Sequence, residues 1–178
     1  MKKLPIEFIQ EIFELRAADK VLLWRTRSEE FFKTKPMADY WNRRFSGKPA
    51  LTSVGTGGYA GGLALGVIVR RSRIVYALKT GKHPRYTVDH IDGNITNDHP
   101  DNLRDITHLG NMKNKRMAKN NKSGITGVFW NKREKKWHAQ ISAGGKTVFL
   151  GHFVNKDDAA AARGRANKIY GYTDRHGL

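Results

Sequence analysis

The sequence contains no cysteine and has half as many acidic residues as basic ones, 16 against 33. Without cysteine there can be no disulfide, thiolate zinc site, iron–sulfur cluster or Cys nucleophile. No stretch approaches about 18 consecutive apolar residues, so no membrane span is expected. Met1-Lys2-Lys3 soon meets Glu7, Glu11 and Glu14, an interruption that predicts no secretory leader and a cytoplasmic protein. Glycines 55, 57, 58, 61, 62 and 66 crowd one stretch but lack the Gly-Lys-Ser/Thr ending of a phosphate-binding loop. They predict turns and a β-hairpin, not a nucleotide cradle, so no small-molecule cofactor is expected.

What the chain does have is size for small packed modules and a strong positive charge. Its 178 residues are 39% hydrophobic, with 4 Trp, 6 Tyr and 8 Phe. That is enough apolar surface for cores, though not for one deep core. The net charge is +17, unevenly spread. Residues 111–178 hold 15 basic groups against 4 acidic, a balance of +11, while residues 1–60 carry only +4. A polyanionic partner is the expected reading, nucleic acid first.

Local patterns then place the elements. Pro5 with Phe8, Ile9, Ile12 and Phe13 predicts a short helix, and Val21–Trp24 a short strand. Residues 25–50 are basic and aromatic without periodicity and receive no assignment. Val67–Val69 reads as a strand and Ser72–Lys79 as a helix closed by Gly81. Tyr86–His90 and Leu103–Ile106 read as strands joined by a polar loop. Thr107 is a good N-cap for a helix to about Lys119. Three strands follow, Gly127–Trp130, Trp137–Ser142 and Lys146–Leu150, then a helix capped by Asn155 with Ala159, Ala162, Ala166 and Ile169 on one face.

Chemistry concentrates between Asp89 and Asn111. A carboxylate and an imidazole sit side by side at a strand end. Asn102 follows His90 by twelve positions and Asn111 by twenty-one. Asp and Asn oxygens are hard ligands suited to Mg²⁺ or Mn²⁺. A neighbouring His can deprotonate water near neutral pH. Such a set suits phosphodiester hydrolysis. Two alternatives fail on spacing. With Gly93 at the sixth position of a calcium loop, Val88 and His99 would have to be its terminal ligands. His90, His99 and His108 recur every nine residues, on different elements, which does not make a zinc cluster.

The string Val88-Asp89-His90-Ile91-Asp92-Gly93-Asn94, with Asn97, Asp101-Asn102-Leu103-Arg104 and Asn111, resembles the HNH endonucleases of ββα-metal fold, in the branch of phage homing enzymes. The resemblance implies roles: Asp89 and Asn111 as metal ligands, His90 as general base, and Asn102 as the residue holding the loop. One departure is Ser72-Arg73, where relatives often carry His-Arg; it bears on substrate positioning more than on metal binding.

Residues 123–173 resemble the Apetala-two (ethylene-response-factor) DNA-binding domain. The matching residues are Ser123-Gly124, Gly127–Trp130, Lys136–Ile141, Lys146, Leu150–Phe153, Ala159–Ala166 and Gly171. Strand alternation puts Val128, Ala139, Ile141, Val148 and Leu150 toward the helix. It puts Phe129, Asn131, His138, Gln140, Ser142, Thr147 and Phe149 on the other face, which the resemblance implies for the DNA major groove. Phe129 and Ser142 stand where the plant domains carry Arg, so base preference does not transfer. Lys132, Arg133, Lys135 and Lys136 in the first turn suit phosphate contacts, as do Lys113, Lys115, Arg116, Lys119 and Lys122 along the linker. Trp130 and Trp137 are expected to serve the core.

The expected protein is therefore α+β. A small ββα nuclease module at 61–118 and a basic linker at 119–124 lead to a three-stranded antiparallel sheet on one helix at 125–178; the role of residues 1–60 is unassigned. The expected activity is metal-dependent cleavage of double-stranded DNA by a homing-type enzyme of a phage or prophage, a monomeric nickase or a homodimer cutting both strands. Alternatives are a non-catalytic DNA-binding regulator with a decayed HNH site, and an RNA-binding protein.

Overall fold

The computed structural model describes residues 3–16, 18–113, 117–118, 120–173 and 176. It is a mixed helix-and-sheet structure whose sheets are small and antiparallel. The chain forms two compact units, 1–107 and 108–178.

The first unit begins with helix α1 (Ile6–Ile12), which runs directly into the β1–β2 pair (Phe13–Leu15 and Leu22–Trp24). Ile9, Ile12 and Phe13 are buried and share one core with Ile74, Val75, Ala77 and Leu103. Residues 1–60 thus complete the core beneath the hairpin that carries the site rather than forming a separate body. Burying several such side chains contributes about 1.5–3 kcal/mol each.

The unassigned stretch contains helix α2 (Lys35–Phe45), which starts after Thr34 with Pro36 in its first turn. Asn42 accepts from the Arg27 backbone N–H and donates to its carbonyl, both at 2.9 Å. The Arg27 guanidinium lies between Trp24 and Trp41, 4.6 and 3.8 Å from the ring centroids. Desolvation pushes its pKa down to about 10.

Strands β3 (Ser53–Val54), β4 (Ala60–Ala64) and β5 (Val67–Arg70) form one sheet in the order β3-β4-β5. Helix α3 (Arg71–Thr80) follows at once and ends at Gly81, whose φ of 68° takes the left-handed position of a C-terminal cap. Buried Ile74, Val75 and Ala77 turn α3 toward the core. The hairpin of β6 (Thr87–His90) and β7 (Leu103–Ile106) packs on this helix, which precedes it in the chain.

In the second unit, α4 spans only His108–Met112. The helix expected to continue to Lys119 stops there: Lys113 is a turn, and Met117 and Ala118 are not helical. Strands β8 (Val128–Asn131), β9 (Lys136–Ala143) and β10 (Lys146–Phe153) make a meander with β9 central. Helix α5 (Lys156–Ile169) covers one face with buried Ala159, Ala162 and Ala166. Ile169, expected on that face, is 77% exposed. At about 100° per residue it lies roughly 70° from the middle of the buried arc. Arg163 is buried there instead, donating to the Gln140 carbonyl and the Asn167 side chain at 2.8 Å each. Trp137 is half-buried and packed against the sheet–helix core; Trp130 is 45% exposed and meets it edge-on.

Candidate functional site

The β6–β7 hairpin is closed by a polar loop from Ile91 to Asn102. Ile91 N–H donates to the Asn102 carbonyl at 2.8 Å, and Gly93 (φ 70°) makes the turn back to the His90 carbonyl. Asp92 is the hub. Its carboxylate accepts from Asn97 Nδ2 at 2.7 Å, from Asn102 Nδ2 at 2.9 Å and from the Asn94 N–H at 2.7 Å. Those donors, Asn97 foremost, hold its pKa below the ordinary carboxylate range. Asn102 completes the tie by accepting from the Asp92 N–H at 2.9 Å and donating to the Asn97 carbonyl at 2.7 Å. One carboxamide side chain therefore fixes both ends of the loop.

His90 is 3% exposed. Its Nε2 lies 2.7 Å from Asp98 Oδ1, and Asp98 Oδ2 accepts from Arg71 Nε at 2.7 Å. Arg71, at the start of α3, also donates to the Thr96 carbonyl. Imidazole, carboxylate and guanidinium thus form a chain of charge-assisted hydrogen bonds that links loop, strand and helix. Within it the carboxylate favours the tautomer with a proton on Nε2 and the lone pair on Nδ1. Asp98 and Arg71 were not singled out as site residues from the sequence. Asp98 is one of several Asp and Asn residues in the loop, and nothing local distinguishes it.

Asp89, consecutive with His90 on the strand, leaves from the opposite side. Its Oδ2 accepts from Arg104 Nε and Nη2 at 3.0 and 2.8 Å. Arg104 is its cross-strand partner in the β6–β7 register, a pairing legible once the register is known. Among the described residues, no three or more His, Asp or Glu side chains gather around one point as a metal cluster. The donor chemistry still fits a hard divalent ion: a carboxylate, with carboxamide oxygen and water filling the other positions. Asn111 stands half-buried on α4, in the second unit.

The DNA-contact candidates fall in different settings. Lys115, Arg116 and Lys119 lie outside the described residues. Lys113 donates through Nζ to the Tyr170 carbonyl at 2.7 Å and is thereby committed to the fold. Lys122, Lys132 and Lys136 are exposed, and Arg133 is exposed beside Glu134. Asn131 accepts from the backbone N–H groups of Arg133 and Glu134, ordering the hairpin turn. Phe129, Ser142, Thr147 and Phe149 are exposed on the face away from α5, with His138 and Gln140 half-buried beside them.

No solved structure matches the chain. Protein 3.8 of Escherichia phage T7 is 40% identical over 78 residues, which cover 43% of this chain and 64% of that protein, less than two thirds of its length. The segment that contains Asp89, His90, Asp98, Asn102 and Asn111 matches the HNH endonuclease family over residues 69–113. The chain carries an HNH endonuclease domain at residues 69–113.

Proposed function

We propose that the protein is a metal-dependent DNA endonuclease of the homing type, encoded by a phage or prophage, whose C-terminal sheet grips the substrate. The observation that carries this reading is the buried His90–Asp98–Arg71 chain, inside a segment of nuclease-family sequence. His90 takes the proton of the attacking water on Nδ1 while Asp98 keeps the imidazole oriented through Nε2. Asp89 and Asn111 are the residues that would hold Mg²⁺ or Mn²⁺, as the family resemblance implies. Such an ion, when bound, polarises the scissile phosphate and stabilises the leaving 3′ oxygen. Asn102 keeps the loop closed so that Asp98 stays under His90. The products carry 5′-phosphate and 3′-hydroxyl ends. One such site per chain serves a monomeric nickase or a homodimer cutting both strands.

The second unit resembles an Apetala-two domain in sequence, and its sheet-on-helix architecture is the one that resemblance implies. Its charge makes it the main electrostatic anchor. Affinity for double-stranded DNA should fall by orders of magnitude between low and physiological salt as counterions are displaced.

Supercoiled plasmid and phage DNA incubated with Mg²⁺, Mn²⁺ or EDTA tests this function. The expected result is relaxation or linearisation that needs metal and disappears in His90→Ala. DNA that is bound but never cut, under either metal and from several sources, would instead establish a non-catalytic regulator.

A further inference from the structure

The outer face of the C-terminal sheet carries a feature that groove reading leaves unexplained. The β8–β9 register sets Phe129 opposite His138, and the β9–β10 register sets His152 opposite the same His138. The second pairing exists because β10 has a bulge between Phe149 and Gly151. Strict alternation from Phe149 would turn His152 toward α5; the extra residue returns it to the outer face. The rings form a continuous group. Phe129 stacks on His138 at 4.5 Å and 21°. His138 lies 4.8 Å from Phe149 and 5.1 Å from His152, with 3.2 Å between His138 Nδ1 and His152 Nε2.

The fold does not need these rings. Phe129 and Phe149 are 42% and 55% exposed, whereas Val128 and Ile141 on the inner face are 2% and 1% exposed. No strand residue on the outer face is acidic, and Lys136 shares that face with Asn131, its cross-strand partner. The face is thus an aromatic patch beside cations, complementary to a polyanion that also offers flat apolar surface.

Stacked duplex DNA does not offer that surface. In its grooves it presents base edges, which are polar except for the thymine methyl. A phenyl ring covering a polar edge leaves its donors and acceptors unpaired. An unstacked base presents its π-face, and such stacking strengthens binding by about five- to 150-fold per base.

We propose that this face binds single-stranded DNA, with bases stacked on Phe129 and Phe149 and the imidazoles of His138 and His152 bracing the two rings. The inference rests on the reading that the C-terminal sheet contacts the substrate. It refines that substrate to a segment with unpaired nucleotides.

The test uses the full chain in EDTA, with fluorescence anisotropy on three labelled probes: a single strand of about 20 nucleotides, its duplex, and an abasic strand of equal length. The expected result is single-strand binding at least tenfold tighter than abasic binding. Phe129→Leu/Phe149→Leu should weaken the single strand by about 10- to 100-fold and the duplex by less than threefold. Phe149→Trp should keep the affinity and add a fifth tryptophan, whose emission, read as the difference from wild type under the same probe, the single strand quenches and the abasic strand does not. Because Phe149 is exposed, that variant supplies the decisive readout even if the double variant fails to fold.

Equal binding of the abasic strand, or an equal loss on duplex and single strand, overturns the stacking site while leaving duplex recognition intact. Failure of wild type to bind any of the three probes overturns the underlying reading as well.

Discussion

His90 and His138 both stand on short antiparallel strands, yet their surroundings are opposites. His90 is 3% exposed, bonded to a carboxylate that an arginine holds in turn. His138 lies between two phenyl rings and a second histidine on an open face. In the first unit the polar side chains satisfy one another: Asp92, Asn97 and Asn102 close the loop, and Asp98 joins Arg71 to His90. In the second unit the outer-face aromatics remain uncovered. A group that must move a proton needs a fixed orientation, which burial and hydrogen bonds supply. A surface that must accept a partner keeps apolar area open until the partner arrives.

Removing His90 should separate the two units most sharply. His90→Ala is expected to lower the cleavage rate by about 10³-fold, about 4 kcal/mol of barrier, with DNA affinity within a few-fold of wild type. Single-turnover cleavage and anisotropy on the same preparation check both halves. A matching loss of affinity would mean that His90 serves binding.

The opposite separation comes from Gly127. Its φ is 79°, and an added Cβ would overlap both the Arg163 guanidinium and the Gln140 backbone carbonyl. Gly127→Ala should cost the second unit about 3–4 kcal/mol, from left-handed strain plus the broken Arg163 hydrogen bonds. Thermal unfolding should then show an early transition, with DNA retention lost. An unchanged melt would mean that Arg163 and the Gln140 carbonyl both move aside at little cost.

Asp98→Asn probes the fixed orientation alone. It keeps the size of the side chain but removes the charge between His90 and Arg71. The cleavage rate should fall by about 10- to 100-fold with DNA affinity unchanged, measured by single-turnover kinetics. A shift in affinity with no change in rate would assign Asp98 to loop structure only.

The smallest expected effect tests a buried guanidinium that, unlike Arg71, lacks a carboxylate partner among the described residues. Arg27 Nε and Nη2 are buried and have no hydrogen-bond partner among the described residues. The folded pKa of about 10 lies below that of a free guanidinium, so above pH 10 the unfolded chain binds the extra proton. The group's destabilising contribution is therefore complete below pH 10 and relieved as pH rises above it. Arg27→Met keeps apolar contact with Trp24 and Trp41. At neutral pH it should change stability by no more than about 1 kcal/mol, in the stabilising direction, by denaturant unfolding. Wild type should keep that gap up to about pH 10 and begin to close it only above that.

Much of the second unit is legible from alternation. Val128, Ala139 and Ile141 are buried and Phe129 and Phe149 exposed, as period-two patterning expects. The β6–β7 hairpin is legible from its polar loop, and α3 from Gly81. Helix α2 is not. Ala38, Trp41 and Phe45 do share one face of it, but the aromatics and basic residues on both sides of that short stripe mask its period in the sequence. The short α4 escapes because capping signals mark a helix start better than its length. Ile169 misleads because small alanines, not a wide stripe, set the buried arc of α5.

Local covalent geometry determined which side chains share a strand face, where turns fall and where charge accumulates. Those follow from neighbours a few residues apart, so the sequence alone carries them. Asp98 meeting His90, Arg71 meeting Asp98 and His152 returning to the outer face were decided only by tertiary structure. Each depends on how a loop closes, how a helix docks or where a strand bulges, and those choices are made by contacts between residues far apart in the chain.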